Sequence, residues 1–191
     1  MGPQLRLAAA LSIICLAGLA AAPLSAAACR GANLPAAAQG EAAVEKSVLC
    51  LINKRRAAAG RRAVSSNSKL RAAGLRHSSE MVSQGFFAHT SPSGVGFIDR
   101  ILSTGYAQRA RRWRVGENLV WGSQAQSTPA VLVESWMQSP PHRANLLRKR
   151  FREVGVAAVR GTPSDQADAA GVTVSSEYGF RVKKKKKKVK R

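Results

Sequence analysis

The order of segments predicts an α+β fold in which helices pack on a small antiparallel sheet. Apolar residues recur at helical spacing through the first two thirds of the chain, and two strand-like runs follow near its end. The length of 191 residues allows one ordinary domain with short extensions and a real core. No internal repeat divides it.

Residues 1–28 stand apart from that domain. They carry one basic residue, Arg6, an apolar run from Leu7 to Ala22, then Pro23 and small residues ending in Ala26-Ala27-Ala28. This is the order of a secretory signal peptide with an A-x-A cleavage site, and the run is shorter than the roughly 20 apolar residues of a spanning helix. The mature protein is therefore expected to be secreted, without a transmembrane segment. Cleavage leaves Cys29 and Cys50, and an even pair in an exported chain reads as a disulfide. It would close a loop of about 20 residues and contribute roughly 3 kcal/mol. Lipidation of Cys29 is the alternative, although Ala26 replaces the larger aliphatic residue usual three places upstream of a lipidated cysteine.

Residues 29–43 form an N-terminal arm before the domain proper, 44–180. Val44, Val48, Leu51 and Ile52 lie on one helical face, with Lys54, Arg55 and Arg56 near the C-terminal end, where they suit the dipole. A second helix is predicted from about Asn67 to Gln84, with Ser66 or Asn67 as cap, a seam of Leu70, Ala73, His77 and Met81, and Gly85 as its stop. "FFAHTSPSGVG" reads as a loop, "FIDRILSTG" as a short helix and "VGENLVWG" as a short strand or turn. "STPAVLVESWMQS" reads as a helix capped by Ser127 or Thr128, with a seam of Val131, Leu132, Ser135 and Trp136. The strands are "REVGVAAVR" and "GVTVSSEYGF", joined through the polar "GTPSDQADAA" as a hairpin.

The net charge of +21 is unevenly placed: residues 181–191 hold nine of the cations and no acid, while residues 29–180 hold 21 Lys and Arg against 10 Asp and Glu. The tail is too dense in like charge to fold alone. It suits anionic cell-envelope polymers or lipid headgroups, and envelope retention is the expectation. It has no aromatic residue to stack a base, and the chain is exported, so no physiological nucleic acid partner is expected.

Chemistry centres on few residues. His77, His89 and His142 have no local metal signature, and no H-E-x-x-H, C-x-x-C, G-x-S-x-G, P-loop or G-x-G-x-x-G occurs. Spacing alone assembles no site, since 28 residues separate His89 from Glu117 and 25 separate Glu117 from His142. His77 falls on an apolar seam and reads as a packed core histidine, and Trp136 likewise reads as core. Asn118 and Asn145 read as backbone clamps, and Ser139 as the cap of the turn that begins Pro140-Pro141. His142 could bond backbone at a helix start, and Glu117 could hold a loop by accepting amide hydrogen bonds.

The ordered set "HSSEMVSQGFFAHTSPSG", "GENLVWG", "VESWMQSPPHRANLL" and "FREVGVA" resembles the bacterial branch of the CAP superfamily, or SCP domain, over residues 44–180. The resemblance implies a three-layer α-β-α sandwich and an extracellular location. It also implies a cleft where two histidines and two glutamates converge. His89 of "HTSP", Glu117 of "GEN" and His142 match three of them; the second glutamate usually lies three residues after a tryptophan, where this chain has Ser139. Glu134, on the other side of Trp136, is no simple substitute. The implied cleft is His89, Glu117, Ser139 and His142, with one carboxylate fewer.

Two neutral imidazoles and a carboxylate suit zinc, with His89 and His142 as ligands and an open position for water. The first functional expectation is an extracellular binding module for a metal ion or a small polar, glycan or lipid-like ligand. The alternatives are a weak metal-assisted hydrolase of peptide or cell-wall material, with Glu117 as base, and an interaction protein with an inert cleft.

Overall fold

Along the last strand, Val172, Val174, Ser176 and Tyr178 alternate with Thr173, Ser175, Glu177 and Gly179, and all are buried. A strand buried on both faces needs a layer on each side, and the computed structural model, which describes residues 29–164 and 168–183, supplies them. The elements are α1 (Glu41–Ala58), β1 (Ser65–Ser66), α2 (Ser68–Gln84), α3 (Phe97–Ser103), β2 (Ala110–Gly122), α4 (Pro129–Gln138), α5 (Pro140–Leu146), β3 (Glu153–Arg160) and β4 (Val172–Lys183). The signal-peptide reading of residues 1–28 and the tail from 184 lie outside the described residues.

The sheet runs β1-β3-β4-β2. β3 and β4 pair antiparallel as the expected hairpin, and β2 pairs antiparallel with β4, but β1 is a two-residue parallel addition to β3, so the sheet is mixed. On one face α1, α4 and α5 bury Val48, Ile52, Leu132, Trp136 and Leu146 against Val154, Val156, Val174 and Tyr178. On the other, α2 and α3 gather Leu70, Ala73, Ile101 and Tyr106. The result is the three-layer α-β-α sandwich.

Close approach of α2 to the sheet depends on Gly155, where a Cβ would lie 1.9 Å from the backbone nitrogen of Arg71. Asn67 caps α2 by accepting from the amides of Lys69 and Leu70, and Gly85 ends it in the left-handed region. Thr128 caps α4. On α4 Val133 is buried, whereas Ser135 of the predicted seam is exposed.

Two strands are longer than the local pattern suggests. β2 begins at Ala110, because twelve of its residues have ladder partners on β4, and pairing overrides the unpromising "RRWR". β4 continues through Lys183, so residues 181–183 belong to the sheet rather than to the tail; Arg181 pairs with Glu153 and stacks over Tyr106. The arm is folded too. Cys29 and Cys50 form a disulfide, and the Ala36 amide donates to Ser127. Among the described residues no helix is long and apolar enough to cross a membrane.

Candidate functional site

Side chains alternate along β2, so Gly116-Glu117-Asn118 serves both helical layers from one edge strand. Glu117 faces the α2/α3 layer and Asn118 the α4/α5 layer. Gly116 allows α5 to approach, since a Cβ there would lie 3.0 Å from Asn145 Oδ1 and 3.1 Å from the Phe151 ring.

The first wall is the loop between α2 and α3, which carries His89. His77, fully buried on α2, bonds the Ala88 carbonyl through Nε2 at 2.8 Å. Burial, and after it the Arg100 charge, lower the His77 pKa; neutral, the ring donates from Nε2. The sequence reading of His77 as a packed core histidine holds, and its bond pins the residue next to His89. Arg100, buried on α3, donates to the carbonyls of Val95 and His89 and to Glu117 Oε2 at 2.8 Å. Ser91 closes the loop by donating to Glu80.

Glu117 is thereby enclosed. Its Oε1 accepts from His89 Nδ1 at 2.7 Å and its Oε2 from Arg100, and it is 3% exposed. Burial pushes its pKa up, but His89, the Glu177 carboxyl and Arg100 together outweigh burial and hold it below the ordinary range. Ionised Glu117 fixes the His89 tautomer with the proton on Nδ1, so the Nε2 lone pair of this half-exposed ring is the atom offered outward.

A second carboxyl stands behind it. Glu177 of β4 is the ladder partner of Glu117 and wholly buried, and no hydrogen bond of ordinary geometry reaches either of its oxygens. Burial, followed by the Glu117 charge, raises its pKa well above the carboxylate range. Among the described residues Arg100 is the one arginine or lysine in an ion pair with these carboxyls, so the two hold one negative charge between them.

The other wall is α5. His142 occupies its third position, after Pro140 and Pro141. Asn118 donates to the His142 carbonyl at 2.9 Å, and Asn145 donates to the Glu117 carbonyl and to Asn118 Oδ1. Both asparagines are the clamps their sequence context suggested. The His142 and His89 ring centres lie 6.5 Å apart. Burial, then His89, lowers the His142 pKa, which favours the neutral ring.

Ser139 sits at the cap position of α5, but its side chain makes no capping bond. Pro141 removes the second-position donor, which leaves the His142 amide at the third position as the one such a bond could use. Ser139 instead lines a groove of about 290 Å³ with His142, Phe87, Leu119, Trp121 and Trp136. Trp136 is locked in the core by its Nε1 donating to the Leu119 carbonyl.

The structure thus brings together His89, Glu117 and His142, with Ser139 beside His142. Sequence reasoning missed Arg100 and Glu177. Each has a signal in retrospect: an arginine inside the apolar "FIDRIL", and a lone carboxylate in the run "GVTVSSEYGF", otherwise small, apolar or aromatic. As a donor set the site offers two imidazoles; among the described residues no group of three or more His, Cys, Asp or Glu could hold a metal ion. Glu117 is engaged as the group that orients His89, the arrangement of an outer-shell carboxylate.

The profile of the cysteine-rich secretory protein family (CAP) matches residues 49–178. The uncharacterized protein YkwD of Bacillus subtilis is 32% identical over 117 residues, 61% of this chain but 43% of that protein, so the chain spans less than half of its relative. An extracellular protein of Bacillus anthracis containing an SCP domain superposes with a TM-score of 0.58 at 20% identity, covering 73% of this chain and 41% of that one. An outer surface protein of Borrelia burgdorferi superposes with a TM-score of 0.59 at 17% identity, covering 73% of this chain and 93% of that one. At these identities the two structures support the fold.

Proposed function

This chain belongs to the cysteine-rich secretory protein family, and on that premise we propose that it is an extracellular binding module for a small ligand with a polar head and an apolar body. One observation carries the reading: the His89–His142 pair adjoins the apolar groove of Phe87, Leu119 and Trp121. A polar head would bond to His89 Nε2 and the His142 ring, while an acyl or other apolar body lies along the groove. Parinaric acid, a fluorescent fatty acid, is a direct probe. Saturable binding that weakens in His142→Ala and in Trp121→Ala supports the reading; binding unchanged in both sinks it.

Zinc is the metal this pair suits. His89 through Nε2 and His142 would be its protein ligands, with Glu117 orienting His89 from behind. A bound zinc would polarise a carbonyl or water in the remaining positions. Zinc titration calorimetry with His89→Ala and His142→Ala beside the wild type tests it, and one-to-one binding lost in both variants is the expected outcome. The hydrolase reading with Glu117 as base draws no support from the geometry, because both of its oxygens are already engaged.

Secretion is supported by the leader-like residues 1–28, by the Cys29–Cys50 disulfide and by the extracellular or outer-surface description of the two structural relatives. Envelope retention is assigned to the lysine-rich end. Deleting residues 184–191, which leaves β4 whole, should release the protein into the medium; unchanged partition between envelope and medium would refute it.

A further inference from the structure

Thirty-one Lys and Arg face ten Asp and Glu in this chain. The described glutamates are largely committed: Glu41 to Arg160, Glu45 to Arg71, Glu117 to Arg100, Glu134 to Arg55 and Glu153 to Arg181. Arg111, Arg112, Arg114 and Arg150 are exposed and none appears in an ion pair among the described residues. They converge nonetheless. With Trp113 and Phe180 they line a groove of about 480 Å³ at the end of the sheet, which shares no lining residue with the groove beside His142. Trp113 is 40% exposed there.

Clustered like charges repel, and surface cations kept only for solubility do better dispersed. Arg112 and Arg114 are two strand positions apart, about 7 Å along β2, a spread that suits several anions in a row rather than one. The ladder pairs Arg114 with Phe180 and Ala110 with Lys183, so the groove adjoins the end of β4, after which the sequence continues into residues 184–191 with seven more cations. A single exposed aromatic distinguishes this surface from single-strand nucleic-acid grooves, which stack successive bases on several rings. One tryptophan among guanidinium groups is also a poor membrane anchor, since interfacial binding buries a broad apolar face.

We propose that this groove docks a linear phosphodiester-linked polyol polymer, with the arginines pairing to successive phosphates and the Trp113 ring packing on the carbons between them. Cation–phosphate contacts supply salt-sensitive affinity, and the ring supplies a component that salt does not screen.

The test uses residues 29–191 and a fluorescent glycerol-phosphate oligomer, with anisotropy read across a salt series. Two variants remove equal charge: Arg112→Gln/Arg114→Gln/Arg150→Gln in the groove, and Lys184→Gln/Lys185→Gln/Lys186→Gln beyond it. The groove variant is expected to lose about tenfold more affinity than the tail variant and to flatten the salt slope by about 2. Trp113→Ala should weaken binding several-fold and leave the slope unchanged; far-UV circular dichroism checks that each variant is folded. Equal losses in the two charge variants would reduce the effect to charge count and overturn the proposal. A thymidine oligonucleotide of equal phosphate number, or phosphatidylglycerol vesicles, binding as tightly with the same dependence on Trp113 would overturn the choice of partner.

Discussion

His89 and His142 face each other across one cleft, yet one is held by buried charge and the other by neutral amides. Behind His89 stand Glu117, Arg100 and Glu177, two carboxyls and one guanidinium in a water-poor interior. Behind His142 stand Asn118 and Asn145, which clamp backbone rather than the ring. Buried charges are costly to separate and respond to pH; amide clamps are cheaper to break and do not titrate. The two histidines should therefore differ in how mutation and pH loosen them.

Arg100 provides the largest break. Arg100→Met strands the Glu117 charge and removes the donors that tie the Val95 and His89 carbonyls, so a loss of about 3–5 kcal/mol is expected in urea unfolding. Adding Glu117→Gln to that variant should recover part of the loss, since no buried anion is then left alone. A single Arg100→Met variant as stable as wild type would show that the charged wall is held by packing instead.

On the neutral wall the expected effect is smaller. Asn145→Ala removes donors to the Glu117 carbonyl and Asn118 Oδ1, at a cost of about 1–3 kcal/mol. The same loss should appear across the pH range in which the protein stays folded. A loss that grew or shrank with pH would mean that the amide clamp is coupled to the carboxyl pair.

Glu177 sharpens the contrast through pH alone. Its folded pKa is raised, so above the unfolded carboxylate range the unfolded chain gives up a proton that the native protein keeps, and stability falls as pH rises toward that folded pKa. The slope is at most about 1.4 kcal/mol per pH unit for one proton. Glu117 works in the opposite sense: its lowered pKa contributes stability that is lost as pH falls through the acid range. Around the pair the charged or titratable groups are Arg100 from α3, His89 from the loop and His77 from α2. Glu177→Gln should abolish the fall at the higher pH while leaving the acid limb. If the variant keeps the same fall, Glu177 is ionised in the native protein and the shared charge is refuted.

How much of this was legible follows from the same contrast. The helices and the order of layers could be read because they rest on local signals: the Asn67 cap, the Gly85 stop, the Val44–Val48–Ile52 seam. His89, Glu117 and His142 came from motifs that resemble a family, since their spacing contains nothing that joins them. Arg100 and Glu177 stayed hidden because a buried ion network is a cross-element property. Glu177 meets Glu117 only through the β2–β4 register, and β2 itself extends to Ala110 only through that pairing. The strand through "RRWR" and the groove it lines were illegible for the same reason.

Ser139 marks the lower end of the scale, and a near-absence of effect is informative there. Loss of an ordinary N-cap serine costs about 1 kcal/mol, but Pro140 and Pro141 carry no N–H, and the Ser139 side chain makes no capping bond. Ser139→Ala should therefore change stability by less than about 0.5 kcal/mol, as for an unengaged surface group. Ligand affinity is a separate readout, because Ser139 lines the apolar groove beside His142. Unchanged stability with altered parinaric acid binding would place Ser139 with the ligand. A loss near 1 kcal/mol would instead mean that its hydroxyl reaches the His142 amide, and that the neutral wall is fastened at the start of α5 as well as through its asparagines.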